Sequence, residues 1–486
     1  MPTRSVLTCL LALAALVAAL AATVAGGGTL ADRSPLYAWY ALDAALFAIS
    51  VLVLRRVPGR HVVPLVLAGS AAVAAVGLLA PPRTSDDAYR YVWDGRVQAA
   101  GVSPYAYAPD APVLARLRDP GLFPVTGSCT GWDERRTAAG DCTRINRPAV
   151  HTIYPPVAEA WFLGVHPFGG GVRGVQAAGA LLAVATTAVL LLVGGGDRRA
   201  ALWGWCPGVS VWSVNDAHID TLGALLMAAG LGCAAWRQGE RRAPDRPRDG
   251  WRRPGWRRAG AGGALLGGAI ATKLLPALAL PGALSGVLAR RPARRDLVVL
   301  AAAFGAFAVS YLPYLAASGT GVLGYLPGYL REEGYDEGHI ERFGLLRLVL
   351  PDSLAPGAAF LLLAAVALGV LRRGDPARPW SGALLVTGSA LLLVAPNYPW
   401  YGLLVVALVA LDGRWEWLAV PAAGQVLYLA EGALPVQQAA YGAALLCVLI
   451  GALLRRRFAP VATRGDADAT TAGAGAAGDA ALPVTR

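Results

Sequence analysis

Residues 85–96 read Ser-Asp-Asp-Ala-Tyr-Arg-Tyr-Val-Trp-Asp-Gly-Arg. They gather three carboxylates (Asp86, Asp87, Asp94), two guanidiniums (Arg90, Arg96) and the rings of Tyr89, Tyr91 and Trp93. The stretch follows directly on an apolar run that ends at Ala80. Charge beside hydrocarbon is costly and is kept where it is used. A carboxylate at a membrane edge is partly desolvated, which raises its proton affinity toward neutral pH and suits a general base. The stretch therefore reads as the active-site loop of a membrane enzyme doing acid–base chemistry.

The elements that must position this loop are apolar. Of 486 residues, 56% are hydrophobic, and the mean hydropathy is +0.49. That is too apolar for a soluble domain and too long for one core. Apolar runs of 14 to 22 residues recur from end to end, the pattern of an all-α polytopic membrane protein. Spans are expected near 6–25, 36–54, 62–80, 174–195, 201–214, 218–236, 297–316, 355–371, 380–396, 399–411, 416–431 and 436–453. Two short helices within 260–289 would meet at Lys273, the one lysine of the chain. The total is about 14 spans, with a range of 10–14 because several runs are short. The piece 157–168 is too short to span and reads as a re-entrant or interfacial helix.

The net charge of +12 sits in short arginine clusters between these runs, at Arg55-Arg56, Arg198-Arg199, Arg290 to Arg295, Arg372-Arg373, Arg414 and Arg455 to Arg457. The positive-inside rule places them all on the cytoplasmic face together with both termini, and this explains the charge without nucleic acid. Residues 1–457 then form one integral-membrane domain, with a long extracytoplasmic loop over 81–155 after the third helix and a second over 317–343. Residues 237–258 hold nine arginines with Trp251 and Trp256, and form a cytoplasmic loop that either lies on anionic lipid or only sets topology. The tail 458–486 is rich in Ala, Gly, Thr and Asp and is expected to be disordered.

Of six cysteines, Cys129 and Cys142 share the long outer loop, where an oxidising compartment would join them. The other polar sets fall on the same outer face: Tyr154-Pro155-Pro156; Asn215, Asp216, His218 and Asp220; the loop with His339 and Glu341; and Asn397-Tyr398-Pro399-Trp400-Tyr401. Their convergence on one face predicts a single cavity. Each has a plainer reading. Asp86 or Asp87 caps the helix that follows. Arg90 or Arg96 neutralises Asp94. Lys273 snorkels. His218 is a satisfied histidine at a helix start, and the tyrosines and tryptophans belong to an interfacial belt.

Asp86 to Tyr91 through Trp93 to Arg96, then Gly101 to Tyr105 and Thr152 to Pro156, carry a resemblance to the GT-C class of integral-membrane glycosyltransferases. More narrowly they resemble glycosyltransferase family 87 and related bacterial mannosyltransferases that use polyprenyl-phosphate-mannose. Asn215 to Asp220, Ala271 to Pro276 and Pro396 to Tyr401 add to it, and the resemblance covers roughly residues 60–410. It implies transfer of a hexose, mannose foremost, from a polyprenyl-phosphate sugar to a glycolipid or glycan acceptor on the outer face of the cell membrane, by an inverting mechanism. By position in the acidic motif it implies Asp86 or Asp87 as base. Lys273, Arg90 and Arg96 would hold the donor phosphate. Asp94, Tyr89, Tyr154, Asn215, His218, Asp220, His339, Tyr398 and Tyr401 would contact substrate. A divalent cation is neither required nor excluded by the residues present. Two other readings keep part of this pattern. A transporter or lipid flippase explains the spans and the lysine but predicts a repeat between halves, which is not evident. A pyrophosphate-linked donor keeps the fold class and changes the leaving group.

Overall fold

The computed structural model describes residues 4–125, 128–169, 171–236, 254–290, 292–324, 326–328 and 342–457. His339, most of the arginine-rich loop 237–258, and the tail 458–486 lie outside the described residues.

The described residues are mostly helical, apart from the long loop over 100–155. The membrane-length elements are α1 (Arg4–Gly26), α2 (Ser34–Leu54), α3 (Gly59–Val76), α6 (Val172–Val193), α9 (Arg294–Ser318), α10 (Ala355–Arg373) and α14 (Leu434–Arg457), after α4 (Asp87–Ala99) and α5 (Pro156–Val165) are numbered in their place in the chain. Among the described residues these seven helices are long and apolar enough to cross a membrane. A further pair, long and apolar enough only when taken together, is bent: a π-helical stretch, Val209–Asn215, meets α7 (Asp220–Ala234) at 113°, as in a broken span or a re-entrant turn. This is a multi-pass membrane protein. The other apolar runs form α8 (Pro254–Thr272), 19 residues long with Arg257 and Arg258 near its start, and the shorter helices α11 (Pro379–Val394), α12 (Leu403–Asp412) and α13 (Ala419–Leu429). Among the described residues fewer helices reach crossing length than a tally of apolar runs near 14, because glycine, proline and polar turns interrupt the runs that border the cavity. Broken helices are tolerated at membrane depth where protein or a cavity, not lipid, meets the freed backbone.

The arginine turns converge on one end of the bundle. Arg198 donates to the carbonyl of Arg55, Arg199 and Arg378 to that of Asp412, and Arg295 to those of Ala234 and Ala235. Arg290 forms a two-pronged pair with Asp296, and Arg455 pairs with Glu416. The acidic loop, the break at 215–220 and Lys273 lie at the other end. There Arg83 bonds Asn215, Lys273 bonds Asp220 and Tyr428 bonds the carbonyl of Thr84.

Two cores support this arrangement. The larger fills the bundle around α1, α3, α7, α11 and α12, with Trp203, Trp205 and Val405 fully buried. The smaller is built by α4, α5 and α6 with Leu114, Leu122 and Ile145. In it α4 is buried nearly all round. At Gly95 a Cβ would sit 2.5 Å from the Phe162 carbonyl oxygen, so this glycine permits the close approach of α4 to α5.

Candidate active site

Helix α4 presents two faces. On one, Asp87, Arg90, Tyr91 and Asp94 recur at the three- and four-residue spacing that stacks side chains along a helix. The opposite face carries Tyr89 and Arg96, seven residues apart. The first face, with Asp86 just before it, borders the cavity end of the molecule. The second points at the outer loop.

The cavity holds about 650 Å³. Its polar side is lined by Asp86, Asp87, Arg135, Asn146, His151 and Lys273. Its apolar side is Leu274 and Leu275 after α8, Tyr311 on α9, and Val322, Leu323 and Leu326 beyond it. Tyr154, Tyr398, Trp400, Tyr401 and Tyr428 complete the wall. Leu274 and Leu323 are exposed, so the apolar side opens toward the surface that lipid would cover.

Asp86 and Asp87 sit in different settings. Asp86 occupies the N-cap position of α4 without making a capping hydrogen bond. Its carboxylate pairs instead with Arg135 and accepts from Asn146 Nδ2 at 3.2 Å. Burial pushes the Asp86 carboxyl up to about 6, against the lowering pull of Arg135. Asp87 accepts from the same Asn146 amide at 2.5 Å and lies 3.4 Å from His218 Nδ1. Burial alone would raise Asp87 too, but the contact with His218 and the charges of His218 and Lys273 outweigh it and hold the group down to about 2. Two adjacent carboxylates thus have separated proton affinities, the arrangement that assigns acid–base roles in paired sites.

Lys273 stands at the break after α8, at the tip of the 260–289 hairpin, which points into the cavity. Its Nζ lies 2.7 Å from Asp220 Oδ2 and 4.4 Å from the Tyr401 ring centroid. His218 is buried and stacks on Trp400 with ring centroids 3.7 Å apart. Asp216 does not join them. It accepts the backbone amides of Arg83 and Thr84, while Asn215 donates to the carbonyls of Gly77, Ala80 and Pro81. Asp216, His218 and Asp220 therefore diverge. Among the described residues no group of three His, Cys, Asp or Glu side chains is placed to hold a metal ion.

Several residues expected at the substrate lie elsewhere. Arg96 is off the cavity, paired with Asp119 and the carbonyl of Leu117. Tyr89 donates to Asp133 at 2.9 Å and docks the outer loop. Asp94 is buried behind Arg90, whose Nε contacts both its oxygens at 3.0 Å. Arg90 also donates to the carbonyl of Val150 and reaches the cavity wall. Asn215 is a joint of the broken span and does not line the cavity. Tyr154, Tyr398 and Tyr401 do line it.

Other residues enter the site unannounced. Cys129 and Cys142 are disulfide-bonded, and the two-residue strands β1 (Arg135–Arg136) and β2 (Cys142–Thr143) pair beside them. The excursion so formed brings Arg135 and Asn146 onto the carboxylates from 49 and 60 residues away (135 − 86 and 146 − 86). Behind Arg90, Glu159 on α5 accepts from Thr152 at 2.6 Å and Gln98 at 2.9 Å. Burial and the neighbouring Asp94 push Glu159 well above the usual carboxylate range. A lone glutamate in an apolar run was the available signal for that group.

No family model matches the chain, and no curated protein matches it. Two solved structures align over most of its length. ArnT from Cupriavidus metallidurans bound to undecaprenyl phosphate is 18% identical at a TM-score of 0.38, covering 81% of this chain and 77% of that one. The archaeal oligosaccharyltransferase AglB from Archaeoglobus fulgidus, in complex with an inhibitory peptide and a dolichol-phosphate, is 11% identical at the same TM-score. That alignment covers 80% of this chain and 56% of the other. At such likeness the function has to be argued from the cavity itself.

Proposed function

We propose that this protein is a glycosyltransferase of the cell membrane that moves a hexose, mannose, from a polyprenyl-phosphate sugar to a lipid or glycan acceptor on the extracytoplasmic face. The observation that carries this reading is the composition of one cavity: an acidic pair and the only lysine of the chain, set against an apolar wall. A lipid-phosphate sugar has those three needs, a base for the acceptor, a cation for the departing phosphate, and hydrocarbon contact for the tail. The choice of mannose follows the resemblance of residues 85–105 and 152–156 to family 87. The arginine turns at the opposite end favour the extracytoplasmic side for the cavity.

In this reading Asp86 takes the proton of the acceptor hydroxyl as the new bond to the anomeric carbon forms. The bond to phosphate oxygen breaks on the opposite face of the sugar, which inverts the configuration. Lys273 balances the charge left on polyprenyl phosphate. Asp87, held ionised by Asn146 and His218, keeps this end of the cavity negative and fixes both partners. Tyr398, Trp400 and Tyr401 offer ring faces to the sugar.

The test is incorporation of labelled mannose into membrane lipid or glycan with monophosphate and pyrophosphate donors supplied in parallel. Incorporation from the monophosphate donor alone supports the reading, and incorporation only from the pyrophosphate donor replaces the donor class. Movement of lipid across proteoliposomes with no covalent product overturns the enzyme reading in favour of a flippase.

A further inference from the structure

We propose that Arg135, carried on the hairpin closed by the Cys129–Cys142 disulfide, is a positioning residue that holds the Asp86 carboxylate ionised and aimed for proton transfer. The proposal deepens the reading of Asp86 as base and rests on it.

The geometry that points to Arg135 is a chain of fixed contacts. Arg135 pairs with Thr143 across β1 and β2, next to the register pair Arg136 and Cys142. Cys142 is bonded to Cys129. Thr143 Oγ1 donates to the carbonyl of Leu122 at 2.9 Å, and Ile145 is wholly buried in the smaller core. Asp133, two residues before Arg135, accepts from Tyr89 on α4 and pairs with Arg144. The loop is thereby docked on α4 by Asp133 before Arg135, and Asn146 beyond it bonds Asp86 and Asp87, so that the Arg135 guanidinium lands on Asp86. Strand alternation turns Arg136 the other way, to the surface, where it donates to the carbonyl of Gly140.

The groups around Asp86 make this contact consequential. Asp87 and Tyr89 on α4, Asn146 from the loop and Tyr428 on α13 are its other polar or titratable neighbours, and His151 lines the same cavity. Asp87 is anionic and disfavours a second negative charge beside it. Arg135 is the cation paired with Asp86, so removing it leaves burial and Asp87 to push the proton affinity of Asp86 up. A residue that only tethered the loop would lower activity equally at every pH.

The experiment measures initial rates of labelled hexose transfer from pH 5 to 9 with the full chain in membranes. It compares wild type, Arg135→Gln, Arg135→Lys, the Cys129→Ser/Cys142→Ser pair and Arg136→Gln, each normalised to protein present in the membrane. The acidic limb of the profile is expected to move up by about one pH unit in Arg135→Gln, the scale of a lost ion-pair partner. It should move the same way in the Ser/Ser pair, return toward wild type in Arg135→Lys, and stay in place in Arg136→Gln. If Arg135→Gln slows transfer with its limb unmoved, Arg135 is a tether and the proposal falls. Asp86→Asn separates the two levels: transfer surviving in that variant removes Asp86 as base, whatever Arg135 does. If the Ser/Ser pair does not insert, the three arginine variants decide alone.

Discussion

Asp87 and His218 face one another at 3.4 Å, and the His218 ring lies flat on Trp400 at 3.7 Å. The contact joins α4 to the broken span and the turn before α12, three segments separated by well over a hundred residues in each step. A carboxylate held down to about 2 by such a neighbour stays charged at any physiological pH. It is a poor proton acceptor and a good fixed charge. Asp87→Asn should cut transfer by about 100-fold and move the acidic limb of the pH profile down, because the charge that raises the proton affinity of Asp86 is gone. Rates of that variant across pH check this.

Asp86 carries the titration. If it is the base, the rate should fall as pH drops through about 6. The same shift has a stability consequence. Its proton affinity is raised above the ordinary 3.8, so the folded chain holds that proton more tightly than the unfolded chain. This contribution to stability is complete below about 4 and is lost as pH rises through about 6. Asp86→Asn should therefore abolish transfer yet raise thermal stability at pH 8, by up to ~3 kcal/mol. Thermal unfolding of the purified variant at pH 5 and pH 8 reads the sign.

Lys273 and Asp220 form a buried couple, the aspartate almost wholly enclosed. Lys273→Met leaves that carboxylate uncompensated, and breaking such pairs costs about 3–5 kcal/mol. The double variant Lys273→Met/Asp220→Asn should recover the fold and not the activity, with the loss falling mainly on donor KM. Yield in membranes and KM for the lipid donor, measured on the wild type and both variants, separate packing from phosphate binding.

How far the site was readable from sequence depends on periodicity. The arginine turns and apolar runs carry their meaning locally, and they do collect at one end and through the bundle of the structure. Lys273 stood out because nothing else in its run was charged. Tyr89 and Arg96 were grouped with Asp86 by proximity along the chain, but α4 turns about 100° per residue, so they leave on the face away from the cavity. Arg135 and Asn146 had no local signal. Their place is set by a disulfide and by the burial of Ile145, long-range facts that no window of the chain contains. The break at 215–220 reads as an ordinary polar turn until its asparagine is seen donating to three carbonyls of the preceding loop.

That asparagine separates folding from chemistry. Asn215→Ala removes a donor from the carbonyls of Gly77 and Pro81 and leaves that of Ala80 with Gln176 alone, at ~1–3 kcal/mol for a buried unsatisfied group. It should reduce the amount of folded protein, while the molecules that fold keep near-normal donor KM. Glu159→Gln behind the cavity should be mild, within about two-fold in rate, because burial and Asp94 push the proton affinity of that carboxyl up and favour the neutral form that glutamine mimics. Quantified membrane yield beside specific activity checks both.

The most direct measurement is transfer of labelled mannose from polyprenyl-phosphate-mannose in membranes carrying the wild-type chain or the Asp86→Ala/Asp87→Ala variant, against membranes lacking the protein. The account expects label in a new glycolipid or glycan with the wild type and background with the variant, at equal protein levels. Equal incorporation by wild type and variant would contradict it, because the acidic pair would then have no part in the chemistry.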